Sequence, residues 1–304
     1  MAEIRSLRRA AASLARRIPG PLADRLRPIA RRVGLAAPQG AWWLRERPPW
    51  DAADASERAA TAWCNVCRWS GEGFVGGFHS EAAACPQCGS IARDRFLFWC
   101  FTTRTPAPGG RRILETSPRL DDSYRTMMRR WFAYRASDYD LGAHRADVKI
   151  DLQAIDLPDA SVDIVLTPHV LEHVPDTDGA LSELFRIIAP GGRMYLQVPL
   201  LQGVTAPPAE PEFHADNTPV FWRFGWDLTD RARAAGFTTT VLVPQRYRDQ
   251  LDRTTPIGPS DVDLESLVEH VRLDDLTVVA DASTAQRIGF EPPHHFATWE
   301  CLRR

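Results

Sequence analysis

Between residues 111 and 302, short apolar runs alternate with amphipathic stretches of helical spacing. The apolar runs predict strands over 112–115, 132–136, 148–152, 162–167, 193–198, 237–243 and 296–302, and the amphipathic stretches predict helices over 90–103, 120–130, 178–188 and 226–235. Such interleaving predicts an α/β fold: a mostly parallel, Rossmann-like sheet covered on both faces, binding ligands at the carboxyl ends of its strands. The loop 200–223 belongs to that ligand end. Residues 245–295, with a helix expected over 261–271, form an insertion before the last strand and are expected to act as a lid. Pro190, Gly191 and Gly192 are read as the turn from a helix into the strand at 193.

Upstream the pattern differs. Ile4, Leu7, Ala11, Leu14 and Ile18, then Leu22, Leu26, Ile29 and Val33, recur at helical spacing with arginine on the other faces and Pro19 and Pro21 between. Residues 1–35 therefore read as two short basic amphipathic helices. Either they touch an anionic membrane surface or a partner, or they are a self-docked arm, which the absence of Trp and Phe favours. Residues 36–62, with Trp42, Trp43 and Trp50, read as a linker that packs against something.

Charge and composition narrow the function. The net charge of −2 divides into +7 over residues 1–35, from nine Arg against Glu3 and Asp24, and −9 over the rest. An acidic body argues against a long nucleic-acid track, although Lys149 is the only lysine and the arginine count reflects a GC-rich genome more than selection for phosphate. No run of about 18 uncharged apolar residues exists to span a bilayer. Six cysteines without a secretory-type leader point to a reducing, cytoplasmic setting.

Four of those cysteines are patterned. Cys64 and Cys67, then Cys85 and Cys88, form two C-x2-C pairs at the spacing of a four-thiolate structural zinc site, with Gly89 placed to turn backbone amides toward sulfur. The expected zinc ribbon spans 63–92. It is closed, so its metal is structural; His79 is an alternative ligand, while Cys100 and Cys301 read as core thiols.

The run from residue 161 to 175, SVDIVLTPHVLEHVP, continues through 180–183 to RIIAPGGRMYLQVP at 186–199 and resembles class I S-adenosylmethionine-dependent methyltransferases of the type 11 kind. That family has an aspartate before its fourth strand, a VLEHV turn after it, and L-x-PGG leading into the fifth; Ile188 stands for the leucine here. The resemblance covers roughly 111–245 plus the last strand, and a ribbon ending in CPxCGS recurs in a bacterial branch of such proteins. It makes 93–304 the methyltransferase domain. It implies that Glu115, Thr116 and Ser117 form the loop holding the methionine part of the cofactor. It also implies that Asp138, with Asp140 as competitor, accepts the ribose hydroxyls, that Asp151 and Leu152 hold the adenine, and that Thr167 and His169 line the reacting centre. One departure stands out: the family's first loop reads E-x-G-x-G, whereas residues 115–119 read ETSPR, without glycine. Either serine and proline make a different workable turn, or the cofactor is held poorly.

His169 to His173 also fits H-x-x-E-H, the inverted zinc-peptidase signature, but Pro168 and Pro175 bracket it too closely for the helix that chemistry needs. His169 is the first candidate for a general base and His214 the second. Glu210, Glu212, Asp216, Phe221 and Trp222 around His214 suit a polar, ring-bearing or sugar-like small-molecule or glycan acceptor, methylated at oxygen. Two other readings are a ribbon-bearing RNA methyltransferase and a methyltransferase fold degenerated into a binding module.

Overall fold

The computed structural model describes residues 42–76, 83–144, 146–214, 217–252, 271–290 and 297–304. The basic helices expected in 1–35, His79, Asp216, most of the helix expected over 261–271, and Phe296 fall outside them. Among the described residues no helix is long and apolar enough to cross a membrane.

The centre is an eight-stranded sheet in the order β11-β10-β12-β7-β6-β3-β4-β5. Its strands are β3 (Arg112–Thr116), β4 (Ala133–Asp138), β5 (Val148–Lys149), β6 (Val162–Pro168), β7 (Ile188–Gln197), β10 (Thr238–Val243), β11 (Leu276–Val278) and β12 (Thr298–Leu302). All neighbours pair in parallel except β12, which runs antiparallel between β7 and β10. β6 and β7 bury Ile164, Val165, Leu166, Met194, Tyr195 and Leu196, as central strands covered on both faces must.

Helix α2 (Ala92–Arg104) follows the cysteine segment, α3 (Asp122–Trp131) joins β3 to β4, α5 (Thr177–Ile187) joins β6 to β7, and α6 (Leu228–Ala234) precedes β10. Asp121 and Asp176 cap α3 and α5 by accepting from the Ser123 and Gly179 amides. At the start of β7 the turn expected at 190–192 is an interruption within a strand. Ile188 pairs with Val162, the register then slips, and pairing resumes at Ile164 with Arg193. Gly191 takes φ +79°, and a Cβ on Gly192 would lie 2.6 Å from the Asp163 carbonyl oxygen, so both glycines are needed.

The strand expected over 148–152 leaves the ladder after Lys149, because Asp151 turns back to bridge Ala154. In the stretch expected to serve as a lid, the described part supplies α7 (Gln245–Leu251), the edge strand β11 and α8 (Ala282–Ile288). α8 packs toward the cysteine segment: Arg287 donates to the Glu57 carbonyl, and Phe290 stacks on Phe96 at 4.9 Å. In the linker, Trp42 is buried, Trp50 packs on Trp131 and Phe132, and α1 (Ala55–Ala59) is closed by an Asp54–Glu57 capping box.

Candidate active site and cysteine cluster

The four patterned cysteines converge. Their sulfurs all lie within 4.8 Å of one another and all four residues are buried, Cys64 and Cys88 being 3.7 Å apart and Cys67 and Cys85 3.6 Å. Tetrahedral zinc with bonds of about 2.3 Å puts sulfurs about 3.8 Å apart, so the donor set fits that ion. The two knuckles share one backbone pattern: the Arg68 amide donates to the Cys64 carbonyl and the Gly89 amide to that of Cys85, with Arg68 at φ +58° and Gly89 at φ +74°. Sequence pointed to the glycine. It gave no sign that Arg68 adopts the same conformation.

Electrostatics favour a cation there. Burial opposes ionisation of Cys64, but hydrogen bonds from Cys67, Cys85 and Cys88 hold its thiol well below the ordinary range, while burial pushes Cys67 and Cys88 well above it. Four thiols this close cannot all ionise unaided. Arg95 is fully buried beside them; it donates to the carbonyls of Ile288, Ser90, Ala83 and Gly289 and sits 3.8 Å over the Phe74 ring. A dinegative tetrathiolate–zinc core would give that guanidinium its counter-charge.

The second cluster lies at the carboxyl ends of β3, β4, β6 and β7. After β3 the glycine-free loop turns at Ser117, which takes φ +46°, the left-handed conformation a glycine would supply. Its amide donates to the Ser137 carbonyl at 2.7 Å, and its hydroxyl reaches Asp138. Ser117→Gly should therefore move the melting temperature by less than about 2 °C in thermal unfolding, because relief of about 1 kcal/mol of backbone strain is offset by the lost hydroxyl contact and by glycine's greater chain entropy. Glu115 is buried and lines the crevice beside the loop. Its carboxyl accepts from the Tyr124 and Tyr134 hydroxyls at 3.1 and 2.7 Å, and burial pushes it up to about 7, so it braces the loop.

Asp138 ends β4. Burial works against its ionisation, yet the His144 ring at 2.7 Å, the Asp140 amide and Ser117 hold its carboxyl below the ordinary range. Asp140 accepts from the Gly142 amide with one carboxylate oxygen, whereas both oxygens of Asp138 are engaged within the chain. Asp151 accepts from the Gln153 amide and side chain, and Leu152 is buried in the core.

After β6 the chain makes a single 3-10 turn, Leu171–His173, too short for a zinc-peptidase helix. His169, at φ +52°, and His173 flank the buried Glu172, with ring nitrogens 3.7 and 3.8 Å from its Oε1. His173 donates from Nδ1 to the Pro219 carbonyl, and its ring meets that of His214 edge-on at 4.6 Å. His214 sits beside the hairpin of β8 (Glu212–Phe213) and β9 (Pro219–Val220), which is pinned to the turn by the Phe221 amide donating to the Glu172 carbonyl. Burial, helped by the Arg93 charge, pushes His169 well below the ordinary histidine range, so its ring is neutral near pH 7; burial also pushes Glu172 up to about 8. Arg93, 3.5 Å from His169, is a member of this cluster that pattern reading missed.

The strongest sign of a ligand is a set of orphans. Thr116 Oγ1, Thr167 Oγ1, His169 Nε2 and both Glu172 carboxylate oxygens are buried without a hydrogen-bond partner among the described residues. Buried polar groups are almost always paired, so this concentration at one sheet edge is where water or a polar ligand would complete the pairing. A narrow crevice of about 20 Å³, lined by Glu115, Leu120, Leu166 and Pro168 with Val66 and Leu97, lies beside them. A larger cleft of about 220 Å³ near Trp226, Asp230 and Arg272 lies at the far, β10–β11 side of the sheet.

The family model described as a methyltransferase domain matches residues 126–196. A probable S-adenosylmethionine-dependent methyltransferase of Mycolicibacterium smegmatis is 41% identical over 56 residues, 18% of this chain and 22% of the relative, so this chain spans about a fifth of that protein's length. Among solved structures, an S-adenosylmethionine-dependent methyltransferase from Archaeoglobus fulgidus is 16% identical with a TM-score of 0.43, covering 71% of this chain and 95% of that one. One from Mesorhizobium loti is also 16% identical, with a TM-score of 0.41, covering 70% and 98%. The matched segment runs from α3 through β6 into β7, so residues 126–196 of this chain are similar to a methyltransferase domain.

Proposed function

We propose that this chain is a working methyltransferase that binds S-adenosylmethionine at the carboxyl edge of β3, β4 and β6 and methylates a hydroxyl of a small polar or sugar-like acceptor. The observation carrying this is the group of buried, unpartnered polar atoms on Thr116, Thr167, His169 and Glu172. Bound there, the cofactor would supply a methyl group already activated on a sulfonium.

The chain's own task is then alignment and proton handling. Asp138 is ionised and held at the end of β4, suited to accept two ribose hydroxyls, with Asp151 and Leu152 beyond it for the adenine. Ser117 keeps the first loop in a glycine-like backbone, so the absence of glycine does not by itself close the pocket. Holding reactants in line is worth about 7–11 kcal/mol to such a displacement. His169 is neutral; its Nδ1 faces the Arg93 guanidinium, which can only donate, so the unpartnered Nε2 carries the ring proton and suits orienting an acceptor oxygen at the reacting edge, while His214, one ring further out on the acceptor side, is the candidate base. The four cysteines would hold zinc as a structural ion.

Two measurements test this. Calorimetric titration with S-adenosylhomocysteine should show binding by the wild-type chain, weakened about ten- to a hundredfold by Asp138→Ala, the loss expected for hydrogen bonds to a charged acceptor. Unchanged affinity in Asp138→Ala would move the ribose contact to Asp140. Labelled methyl traced in cells with and without the gene should appear in a small-molecule or glycan fraction; label in RNA instead would overturn the acceptor class.

A further inference from the structure

Three consecutive charged side chains open helix α2, and their fates differ. Asp94 is bound bidentately by Arg119 from the loop after β3, and Arg95 is spent on backbone carbonyls beside the cysteines. Arg93 points instead to the carboxyl edge of the sheet. Its Nη1 lies 3.5 Å from His169 Nδ1, and its carbonyl accepts from Gln197 Nε2 at the end of β7. Among the described residues it has no carboxylate within 4.0 Å, although it is half-buried. Glu172 is the acid nearest His169, but burial favours its protonated form, so it offers little counter-charge near neutral pH.

A guanidinium removed from water calls for an anion. The demand is sharper where a sulfonium is to bind, because two uncompensated cations would repel each other. The loop after β3 cannot meet it: Pro118 has no N–H to donate, and Arg119 is already neutralised by Asp94.

We infer that Arg93 is the counter-ion for the carboxylate at the methionine end of the cofactor, so that the helix leaving the cysteine knuckle supplies part of the cofactor pocket. This rests on the proposed cofactor site and adds to it a residue that lies outside the matched segment. The cysteine segment then does more than stabilise the fold. Its second knuckle sets the start of α2, and Gly89 accepts from Arg119, so both arginines flanking the methionine end take their positions from it.

The test compares two ligands on three proteins. S-Adenosylhomocysteine carries the amino-acid end; 5′-methylthioadenosine lacks it but keeps adenine, ribose and sulfur. Wild type should prefer the former. Arg93→Ala should lose about ten- to a hundredfold in affinity for S-adenosylhomocysteine and less than about twofold for methylthioadenosine, with Arg93→Lys in between. Retained methylthioadenosine binding also shows that the variant is folded. Equal losses for both ligands, or none for either, would overturn the role of Arg93 while leaving the cofactor site standing. Wild type that binds neither ligand would overturn the cofactor reading itself, and this inference with it.

Discussion

Protein purified without chelator is expected to carry one zinc ion per chain by elemental analysis, and Cys88→Ser to lose it together with on the order of 4 kcal/mol of stability. The magnitude follows from what the segment lacks. Between Ala62 and Ile91 the only regular pairing among the described residues is the two-residue ladder of β1 (Ala62–Trp63) with β2 (Ser70–Gly71) and a lone bridge from Val75 to Ala84. Four buried sulfurs close the gap that hydrogen bonds leave. Isolated zinc-finger peptides gain on the order of 10 kcal/mol from the ion. The loss here is smaller because Trp63, Val66 and the cysteines share a core with Phe96, Phe101 and Phe132. Without the ion Arg95 keeps its burial and loses its counter-charge, so the damage should spread to the turn at Ile288 and Gly289 that it holds. Urea unfolding of wild type, of wild type stripped by chelator and of Cys88→Ser should rank in that order or with the last two equal. Fully metal-free wild type with an unchanged midpoint would refute the metal reading.

How much of this could be read from the chain follows from which interactions are local. The strands with continuous apolar runs, β6 and β10, and the knuckles written as C-x2-C are local patterns, and each element or cluster formed where its residues stand. β11 and α8 were hidden because neither carries a strong period; their places come from pairing with β10 and packing beside α2, over distances no window sees. The site divides in the same way. Asp138 was legible as an acid closing a strand, and its bond with His144 confirms only that it is engaged. Glu115 stands where the family's loop begins, but its bonds with Tyr124 and Tyr134, 9 and 19 residues on, are contacts no local pattern announces. Arg93 reaches His169 across 76 residues, and no spacing rule connects a zinc knuckle's helix to a turn after β6. The absent glycines left two outcomes open in sequence, a different workable turn or poor cofactor binding; Ser117 at φ +46° adopts the left-handed conformation that a glycine would supply at that position.

Glu172→Gln is expected to stabilise the unliganded protein at pH 8.5 and leave it nearly unchanged at pH 4. Burial outweighs its own backbone amide and the Arg93 charge and raises this carboxyl from its ordinary 4.5 to about 8 in the folded chain. Below pH 4.5 both folded and unfolded forms hold the proton, so its contribution does not vary. From 4.5 to 8 the unfolded form releases the proton while the folded form keeps it, and stability falls as pH rises. Above 8 both forms are ionised and the full cost is present, on the order of 5 kcal/mol for a shift of this size. Glu115, raised to about 7 by burial, adds a similar slope over a narrower window, so the difference between wild type and Glu172→Gln isolates Glu172. Thermal or urea unfolding from pH 4 to 9 should give curves that meet in acid and diverge above neutrality; parallel curves would remove the burial argument. Keeping an acid at this cost, beside two histidines and an unpaired guanidinium, makes sense where a bound cation repays it. Saturating S-adenosylmethionine should therefore draw the Glu172 proton off near pH 7.5, as buffer-dependent calorimetric heat in wild type but not in Glu172→Gln, whereas S-adenosylhomocysteine, lacking the sulfonium, should release less.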